Sequence, residues 1–484
     1  MKISLLYPSW TGEYGNISLF ARKAAGSYPP LNLAYLASIA EKQGHDVRII
    51  DGESEGMPIE QMADRTIEFN PDIVGITATT PFYHISENLA KGLKQKNKDI
   101  RTAIGGQHIT VLREAVFSNC FDYGFIGEAD NSWSKFLQTI ESNGDISKVK
   151  GILYRENGEV KSTGKSDSVT DMDSLPFPAR HLLNMKNYRM MTPRGEKKFT
   201  SIITMRGCPY ECVFCSTKVF GDKNRRISPK KVVEEMKECV DKYKTEHFTF
   251  LDDTLTLNRK HISDICDLII EEKLGVTFDG NTRANLVDEE LVKKMSEAGL
   301  VKLCFGLESA DENVRKFLKK KVPLESYVAA NKLTEKYGIE TVNSCMIGLP
   351  GETEESIRNT LRFLREHKEI KQANIAIAVP YPGTELYEMA KKGENGLKLE
   401  TTDFSQYKRY NAAVMSVGKF SPDDLIRIQN EAFASVYCFS PERWQTMLDK
   451  SGVEGARMTL ARLMKCIDEG ETKFLTNKQL GIGK

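Results

Sequence analysis

Short apolar runs alternate with segments of helical periodicity along the first 145 residues of the chain. The apolar runs have the length of strands, and each precedes a helical pattern, an order typical of a parallel, doubly wound sheet. One such helical segment, 31–40, follows two prolines and stops at Gly44. The five predicted strands of this region are 2–7, 46–50, 72–77, 101–104 and 123–126.

Residues 147–197 interrupt this alternation. A hairpin is predicted over 151–160, with its turn at Asn157 and Gly158. Further along, Pro176 and Pro178 oppose regular structure. We interpret 147–197 as a hairpin and linker.

A second alternating series begins at residue 198, and its six strands, each followed by a helical pattern, predict a partial (β/α)6 barrel rather than a closed eight-fold one. From 391 to 484 the pattern is mostly helical, and we expect this segment to cover the substrate site. The chain is thus α/β, with a Rossmann-like domain over 1–146 and the barrel over 198–390. The predicted barrel strands are 199–205, 247–251, 276–278, 301–305, 341–347 and 374–379.

Charge and composition narrow the function classes. The 484 residues include 68 Lys and Arg against 67 Asp and Glu, so no global positive field recruits nucleic acid or anionic lipid. No stretch approaches the roughly 20 apolar residues that span a bilayer, and the N-terminal apolar run is too short for a signal peptide. We therefore expect a cytoplasmic protein. Ten cysteines are too dilute for a disulfide framework and favour metal or redox chemistry.

Three cysteines, Cys208, Cys212 and Cys215, follow the first barrel strand at C-x3-C-x2-C spacing. On a loop their thiols can converge on one metal centre. A structural zinc site requires a fourth ligand at short range, but the nearest histidines are His181 and His247. An iron–sulfur cluster with one open iron accounts for the missing ligand. Three half-buried cysteines without a metal are the alternative.

With Phe214 before the last cysteine, the motif resembles that of the radical S-adenosylmethionine (SAM) superfamily, and further segments match in order across 198–390. The resemblance implies a [4Fe-4S] cluster on Cys208, Cys212 and Cys215, with SAM on the open iron. It also implies that one-electron reduction of SAM yields a 5′-deoxyadenosyl radical, which abstracts hydrogen from an unactivated carbon.

Polar or glycine-rich segments end the later strands, where parallel α/β architectures bind ligands. Two of them have plain alternatives: Asp252 and Asp253 also suit a helix N-cap, and Arg283 also suits a solvated surface. The SAM-binding residues that the resemblance implies are Phe214, Asp252, Asp253, Arg283, Glu308, Ser309, Ile347, Gly348 and Tyr381.

A Rossmann-like domain before such a barrel resembles the cobalamin-binding (B12-binding) class of radical SAM enzymes. The Asp-x-His-x-x-Gly signature is absent, so we expect no histidine ligand to cobalt; a flavodoxin-like domain without ligand is the alternative. A dinucleotide is disfavoured because no G-x-G-x-x-G follows the first strand. The expected cobalamin contacts are Thr77, Thr79, Gly105, Gly106, His108, Gly127 and Glu128.

The resemblance implies a cobalamin-dependent radical SAM methyltransferase that acts on an unactivated carbon and receives electrons from a donor such as flavodoxin or ferredoxin. The same cofactors also serve cyclisation, ring rearrangement or oxidation without methyl transfer, which is the main alternative. A noncatalytic cobalamin or redox sensor is a third hypothesis, but it has no need of the SAM segments. Neither the substrate nor a catalytic acid or base is predicted.

Overall fold

A computed structural model of the chain describes residues 1–10, 27–468 and 473–474. The chain forms two compact units, one of Met1–Pro209 with Thr217–Leu251 and the other of Tyr210–Ser216 with Asp252–Lys484. The predicted division into four segments stays a prediction.

The first unit contains a seven-stranded sheet in the order β2-β1-β3-β4-β5-β6-β7. Strands β1 to β5 are parallel and coincide with the five predicted strands, while β6 and β7 are antiparallel. The strands are β1 (Lys2–Tyr7), β2 (Asp46–Asp51), β3 (Ile73–Thr77), β4 (Arg101–Gly105), β5 (Tyr123–Phe125), β6 (Ile152–Glu156) and β7 (Glu159–Ser162).

Helices connect these parallel strands and bury an apolar core that includes Leu6, Val74, Ile104 and Phe121. Because the strands are parallel, their carboxyl ends share one edge, and the loops that follow them gather polar residues there. The helices are α1 (Leu31–Lys42), α2 (Gly52–Glu55), α3 (Ile59–Phe69), α4 (Tyr83–Lys96), α5 (Gln107–Leu112) and α6 (Asp130–Glu141).

The predicted hairpin forms, but it extends the first sheet instead of standing apart in the linking segment. Its turn residues, Asn157 and Gly158, both have positive φ, as a two-residue type I′ turn requires. Strand β6 pairs with β5, which leaves β7 at the sheet edge. The pairing of β5 with β6 supplies partners for backbone groups that would otherwise lie at an open edge.

The first unit also contains β8 (Arg189–Thr192), β9 (Gly195–Ile202), β10 (Met205–Arg206), β11 (Arg225–Arg226), α7 (Pro229–Tyr243) and β12 (His247–Phe250). Strand β8 was not predicted; it pairs with β9 in an antiparallel ladder, and β9 runs parallel to β12. The strand predicted over 199–205 is interrupted: β9 ends at Ile202, and β10 pairs separately with β11.

In the second unit, β13 (Thr277–Thr282), β14 (Leu300–Glu308), β15 (Glu340–Ile347) and β16 (Ala373–Ile377) lie side by side in chain order, all parallel. They correspond to the last four predicted barrel strands. The accompanying helices are α8 (Arg259–Glu271), α9 (Glu289–Glu297), α10 (Glu312–Phe317), α11 (Leu324–Lys336), α12 (Glu354–Glu366) and α13 (Glu385–Lys392).

The C-terminal part is mostly helical, as predicted, with α14 (Pro422–Tyr437) and α15 (Pro441–Asp468). Gly452 interrupts α15 with non-helical φ and ψ. A short ribbon of β17 (Leu397–Leu399) and β18 (Met415–Val417) was not predicted. Among the described residues, no helix has the length and apolar character needed to cross a membrane.

A buried ion pair connects the linking segment to α7 in the first unit. The Arg180 guanidinium lies 2.7 Å from the Glu235 carboxylate, and each side chain is only 3% exposed. Arg180 also donates to Thr200 Oγ1 and to the Ser201 carbonyl of β9. Burial raises the pKa of Glu235, and the adjacent guanidinium opposes that shift.

We expect Arg180→Met to destabilise the protein by about 3–5 kcal/mol, because it leaves the Glu235 carboxylate buried without its cation. The double variant Arg180→Met/Glu235→Leu removes both charges and should recover most of this loss. Thermal unfolding of the three proteins measures the effect. Equal midpoints for Arg180→Met and the wild type would contradict it.

Candidate active site

The second and third predicted cluster cysteines lie in the second unit, where the backbone fixes their loop. Cys212 and Cys215 are half-buried, and the Cys215 amide donates to the Cys212 carbonyl at 3.0 Å. Between them, Val213 donates to the Leu318 carbonyl and accepts from the Leu386 amide. The loop that carries the two thiols is therefore bound on both sides.

Next to this loop lies a buried ion pair at the carboxyl end of β14. Lys320 Nζ lies 3.0 Å from Glu308 Oε1, with side chains 8% and 9% exposed. The Lys320 ammonium also lies 6.0 Å from the Phe214 ring centroid. Gly306 makes room for the pair, because a Cβ there would meet Glu308 Oε1 at 2.3 Å and Lys320 Nζ at 2.7 Å.

The backbone at this ion pair is strained. Glu308, Lys319 and Lys321 have φ of 64°, 53° and 46°, values that non-glycine residues adopt at a cost. Such residues persist where the surrounding structure fixes them, and they cluster at ligand sites.

A second cation, Arg283, lies after the end of β13. Its guanidinium carbon is 3.6 Å from the Tyr210 ring centroid, and Nη2 donates to the Lys320 carbonyl. The buried Nε atom has no hydrogen-bond partner among the described residues. A buried, unsatisfied N–H of a cation fits an anionic ligand group.

The cations Lys320 and Arg283 affect the pKa of the Cys212 thiol. Burial raises its pKa, while Lys320 and Arg283 favour the thiolate and oppose the rise. The donor set of this region therefore contains a half-buried thiol, two cations and the Glu308 carboxylate. It suits a metal-bound ligand that carries both an anionic and a cationic group, as the amino-acid portion of SAM does.

Cys208, the first cysteine of the motif, belongs to the first unit and is 8% exposed. It follows Gly207, whose φ is 92° and where a Cβ would meet the Lys223 carbonyl oxygen at 2.3 Å. No group of three His, Cys, Asp or Glu among the described residues can hold a single metal ion. The thiolates of a [4Fe-4S] cluster bind separate irons, so they need not converge on one point.

The segment at Asp252 and Asp253 is not a helix cap. Helix α8 starts at Arg259, and the Asn258 side chain caps it by accepting from the His261 amide. The helix-cap alternative for 252–254 is therefore wrong. Asp252 is buried and Asp253 exposed.

Among the other predicted SAM residues, Ser309 and Tyr381 use their hydroxyls within the protein. Ser309 Oγ lies 3.1 Å from Thr360 Oγ1, and Tyr381 donates to the Tyr407 carbonyl at 3.2 Å. Ile347 ends β15 and is buried. The role of all four positions, Gly348 included, in SAM binding stays a prediction.

The turn after β15 depends on a buried carboxyl group, that of Glu352, whose role was not predicted. Glu352 accepts from the amides of Gly348 and Leu349, and Gly348 has φ of 81°. Burial raises the pKa of Glu352 to about 8. The carboxyl group is thus a structural acceptor for the glycine turn.

In the first unit, the predicted cobalamin residues end or follow the adjacent strands β3, β4 and β5, so they share one sheet edge. Gly106 has φ of 116°, and a Cβ there would meet the Ala78 carbonyl oxygen at 2.2 Å. The Gly127 amide donates to Thr110 Oγ1. Gly106 therefore permits close packing against the loop after β3; Gly127 is buried, and Gly105 and Gly106 are half-buried at the edge where cobalamin is predicted to bind.

A cavity of about 210 Å³ opens at the ends of β1 and β3. Thr77 and Thr79 line it beside Trp10 and Phe82, whose rings are stacked with centroids 4.9 Å apart. The described part of the cavity thus combines an aromatic wall with hydroxyl groups.

His108, which does not line this cavity, is 1% exposed, and burial lowers its pKa to about 4.

Comparisons with known proteins agree with this architecture. A model of the radical SAM superfamily matches residues 202–364, and a B12-binding domain model matches residues 17–137. The chain is 33% identical to an uncharacterized methyltransferase of Pyrococcus horikoshii, over 90% of this chain and 92% of that protein. The chain belongs to the cobalamin-binding radical SAM enzymes, whose cofactors are a [4Fe-4S] cluster, SAM and cobalamin.

Two further comparisons bear on fold and reaction. The chain is 30% identical to the anaerobic magnesium-protoporphyrin IX monomethyl ester cyclase of Rubrivivax gelatinosus, over 84% of this chain and 72% of the cyclase. The structure of the radical SAM methyltransferase TsrM of Kitasatospora setae superposes with a TM-score of 0.70, at 16% identity, over 91% of each chain. With the two domain models, this likeness confirms the predicted fold class.

Lys320 was not predicted as a site residue, although its partner Glu308 was. Lys320 is the middle of three consecutive lysines, a run that reads as a solvated surface. Glu128 was predicted to contact cobalamin, and the structure places that carboxylate against Arg225. No signal in the sequence distinguishes either cation from its exposed neighbours.

The pH dependence of stability in the variant Glu352→Gln tests whether the buried Glu352 carboxyl group is protonated in the folded protein. The raised pKa keeps the Glu352 carboxyl group protonated up to about pH 8 in the folded protein, whereas in the unfolded chain it has its ordinary pKa of 4.5. Stability from this group is therefore present below pH 4.5 and lost by about pH 8, at about 1.4 kcal/mol per pH unit.

We expect the thermal midpoint of the wild type to fall more steeply over this range than that of Glu352→Gln. Glu355→Gln, at an exposed position that pairs with Arg362, is the control and should follow the wild type. Parallel profiles for Glu352→Gln and the wild type would show that the carboxyl group is not protonated in the folded protein.

Proposed function

We propose that this enzyme transfers a methyl group to an unactivated carbon of an organic substrate, using SAM, a [4Fe-4S] cluster and cobalamin. The observation that carries the proposal is the buried set of Arg283, Glu308 and Lys320 beside Cys212 in the second unit. It combines a thiol ligand for iron with charges of both signs. A methyltransferase name on the 33%-identical relative supports the reaction class.

Cys208, Cys212 and Cys215 would hold the cluster by their thiolates. Arg283 and Lys320 would bind the SAM carboxylate, because both are buried cations and the Arg283 Nε lacks a partner among the described residues. Glu308 would accept from the ammonium group. When bound, the cluster supplies one electron to SAM and cobalamin carries the methyl group.

The first unit would bind cobalamin through the loops after β3, β4 and β5. Gly105, Gly106 and Gly127 would shape the loops around the cofactor, and Thr77 and Thr79, which line the cavity, would offer hydroxyls. His108 is 1% exposed and the Asp-x-His-x-x-Gly signature is absent from the sequence, so we assign it no contact with cobalt. A reductant such as flavodoxin or ferredoxin would supply electrons.

The alternative keeps both cofactors but closes or rearranges a ring without methyl transfer. The cyclase of Rubrivivax gelatinosus, at 30% identity, is the observation in its favour. The methyltransferase relative is matched at higher identity and over more of its length, so methyl transfer is the better-supported reaction.

Reconstitution tests the proposal. The full chain is loaded anaerobically with iron, sulfide and hydroxocobalamin, reduced with SAM present, and assayed by mass spectrometry for S-adenosylhomocysteine and 5′-deoxyadenosine. We expect both products, with 5′-deoxyadenosine lost in Cys212→Ala. Deoxyadenosine alone would favour the nonmethylating enzyme, and a protein that binds both cofactors but forms neither product would favour a sensor.

The affinity for SAM distinguishes the role proposed for the buried Lys320 from that of the exposed Lys319. We expect Lys320→Met to weaken SAM binding to the cluster-loaded protein by at least about tenfold, because Glu308 loses its cation and the site loses one charge. Lys319→Met is the control, since Lys319 is 42% exposed and pairs with Glu385. Equilibrium dialysis measures both, and equal affinities would contradict the role given to Lys320.

A further inference from the structure

Four charged side chains form a largely buried network of ion pairs in the first unit. Arg206 donates to both carboxylate oxygens of Asp130, at 2.7 and 3.2 Å, and Arg225 donates to both oxygens of Glu128. Arg206 Nη1 also lies 3.8 Å from Glu128 Oε2. The side chains are 7% to 17% exposed, so solvent screens these pairs poorly.

The two arginines occupy directly opposite positions on the ribbon of β10 and β11. Like charges at opposed positions of a ribbon repel each other. The carboxylates of Glu128 and Asp130 offset this repulsion, and each presents two oxygens to a planar guanidinium, the geometry that arginine binds best. The ribbon therefore depends on the loop that supplies these carboxylates.

This network joins the predicted elements of two cofactor sites. Glu128 and Asp130 follow β5 directly after Gly127, which we assign to cobalamin. Arg206 stands two residues before Cys208, a proposed cluster ligand. Asn224 donates to the Gly207 carbonyl at 3.1 Å, which holds the chain between Arg206 and Cys208 against the same ribbon.

The Arg180–Glu235 pair provides a contrast within the same unit. This pair is more deeply buried, with both side chains 3% exposed, yet among the described residues its hydrogen bonds reach neither a proposed cobalamin residue nor the cysteine loop. A purely structural role is sufficient for that pair. The network of Arg206 and Arg225 has the same chemistry but connects two loops for which we propose ligand roles.

We infer that Arg206, Arg225, Glu128 and Asp130 couple the two cofactor sites, so that loading of the cluster tightens cobalamin binding and cobalamin in turn tightens the cluster. They are positioning residues, and the inference rests on the proposed function. Ordering either loop fixes the other through four charge-assisted hydrogen bonds, so the second cofactor meets a loop that is already ordered. Coupling of this kind is reciprocal.

The test measures hydroxocobalamin binding to the full chain by equilibrium dialysis, before and after anaerobic reconstitution with iron and sulfide. In the wild type we expect binding to be about tenfold tighter after reconstitution, within the usual range of coupling between sites. In Arg206→Met/Asp130→Leu, which removes both charges of one pair, the ratio should fall to about one. Arg180→Met/Glu235→Leu is the matched control and should keep the wild-type ratio.

Arg206→Lys serves if the double variant does not fold. It keeps the charge but not the two-point contact, so the ratio should fall between one and the wild-type value. A wild-type ratio of one, or an unchanged ratio in the folded variants, would overturn the inference while leaving the proposed function intact. A wild type that binds neither cofactor would instead refute the proposed function.

Discussion

A buried carboxylate needs a cation, and this requirement organises both units of the chain. Removing a carboxylate from water is costly unless an opposite charge and hydrogen bonds replace the solvent. Glu308, Glu128 and Glu235 each meet this condition with a different partner, respectively Lys320, Arg225 and Arg180. The partners in these three pairs are 12, 97 and 55 residues apart in sequence, respectively, so the pairs fix loops around the sheets to one another.

At the carboxyl end of β14, the pairing requirement is met at the expense of backbone strain. Lys320 pairs with Glu308 from a turn in which both neighbouring lysines adopt positive φ. The absence of a side chain at Gly306 leaves space for the pair. With Glu308 itself, three non-glycine residues thus adopt positive φ around one ion pair. Such concentration of cost is characteristic of positions that bind a ligand.

The parallel strands could be predicted from the sequence because apolar runs followed by segments of helical periodicity are strong local signals. The weaker elements were not: β8, β17 and β18 have at most four residues each, which is too short to establish an alternating apolar pattern. The same limit applies to the site. Glu308 could be selected because it ends an apolar strand, whereas Lys320 looks like its exposed neighbours until the fold buries it.

The hairpin of β6 and β7 has a consequence for how the first unit meets other copies of itself. A parallel sheet that ended at β5 would present unpaired backbone groups, which invite strand addition by another chain. Instead the edge is the short strand β7, where the side chains of Glu159 and Lys161, 73% and 42% exposed, pair with each other. Charged side chains on a short, twisted edge resist such addition. This edge is thus protected against aggregation by the fold itself, whatever the state of the cofactors.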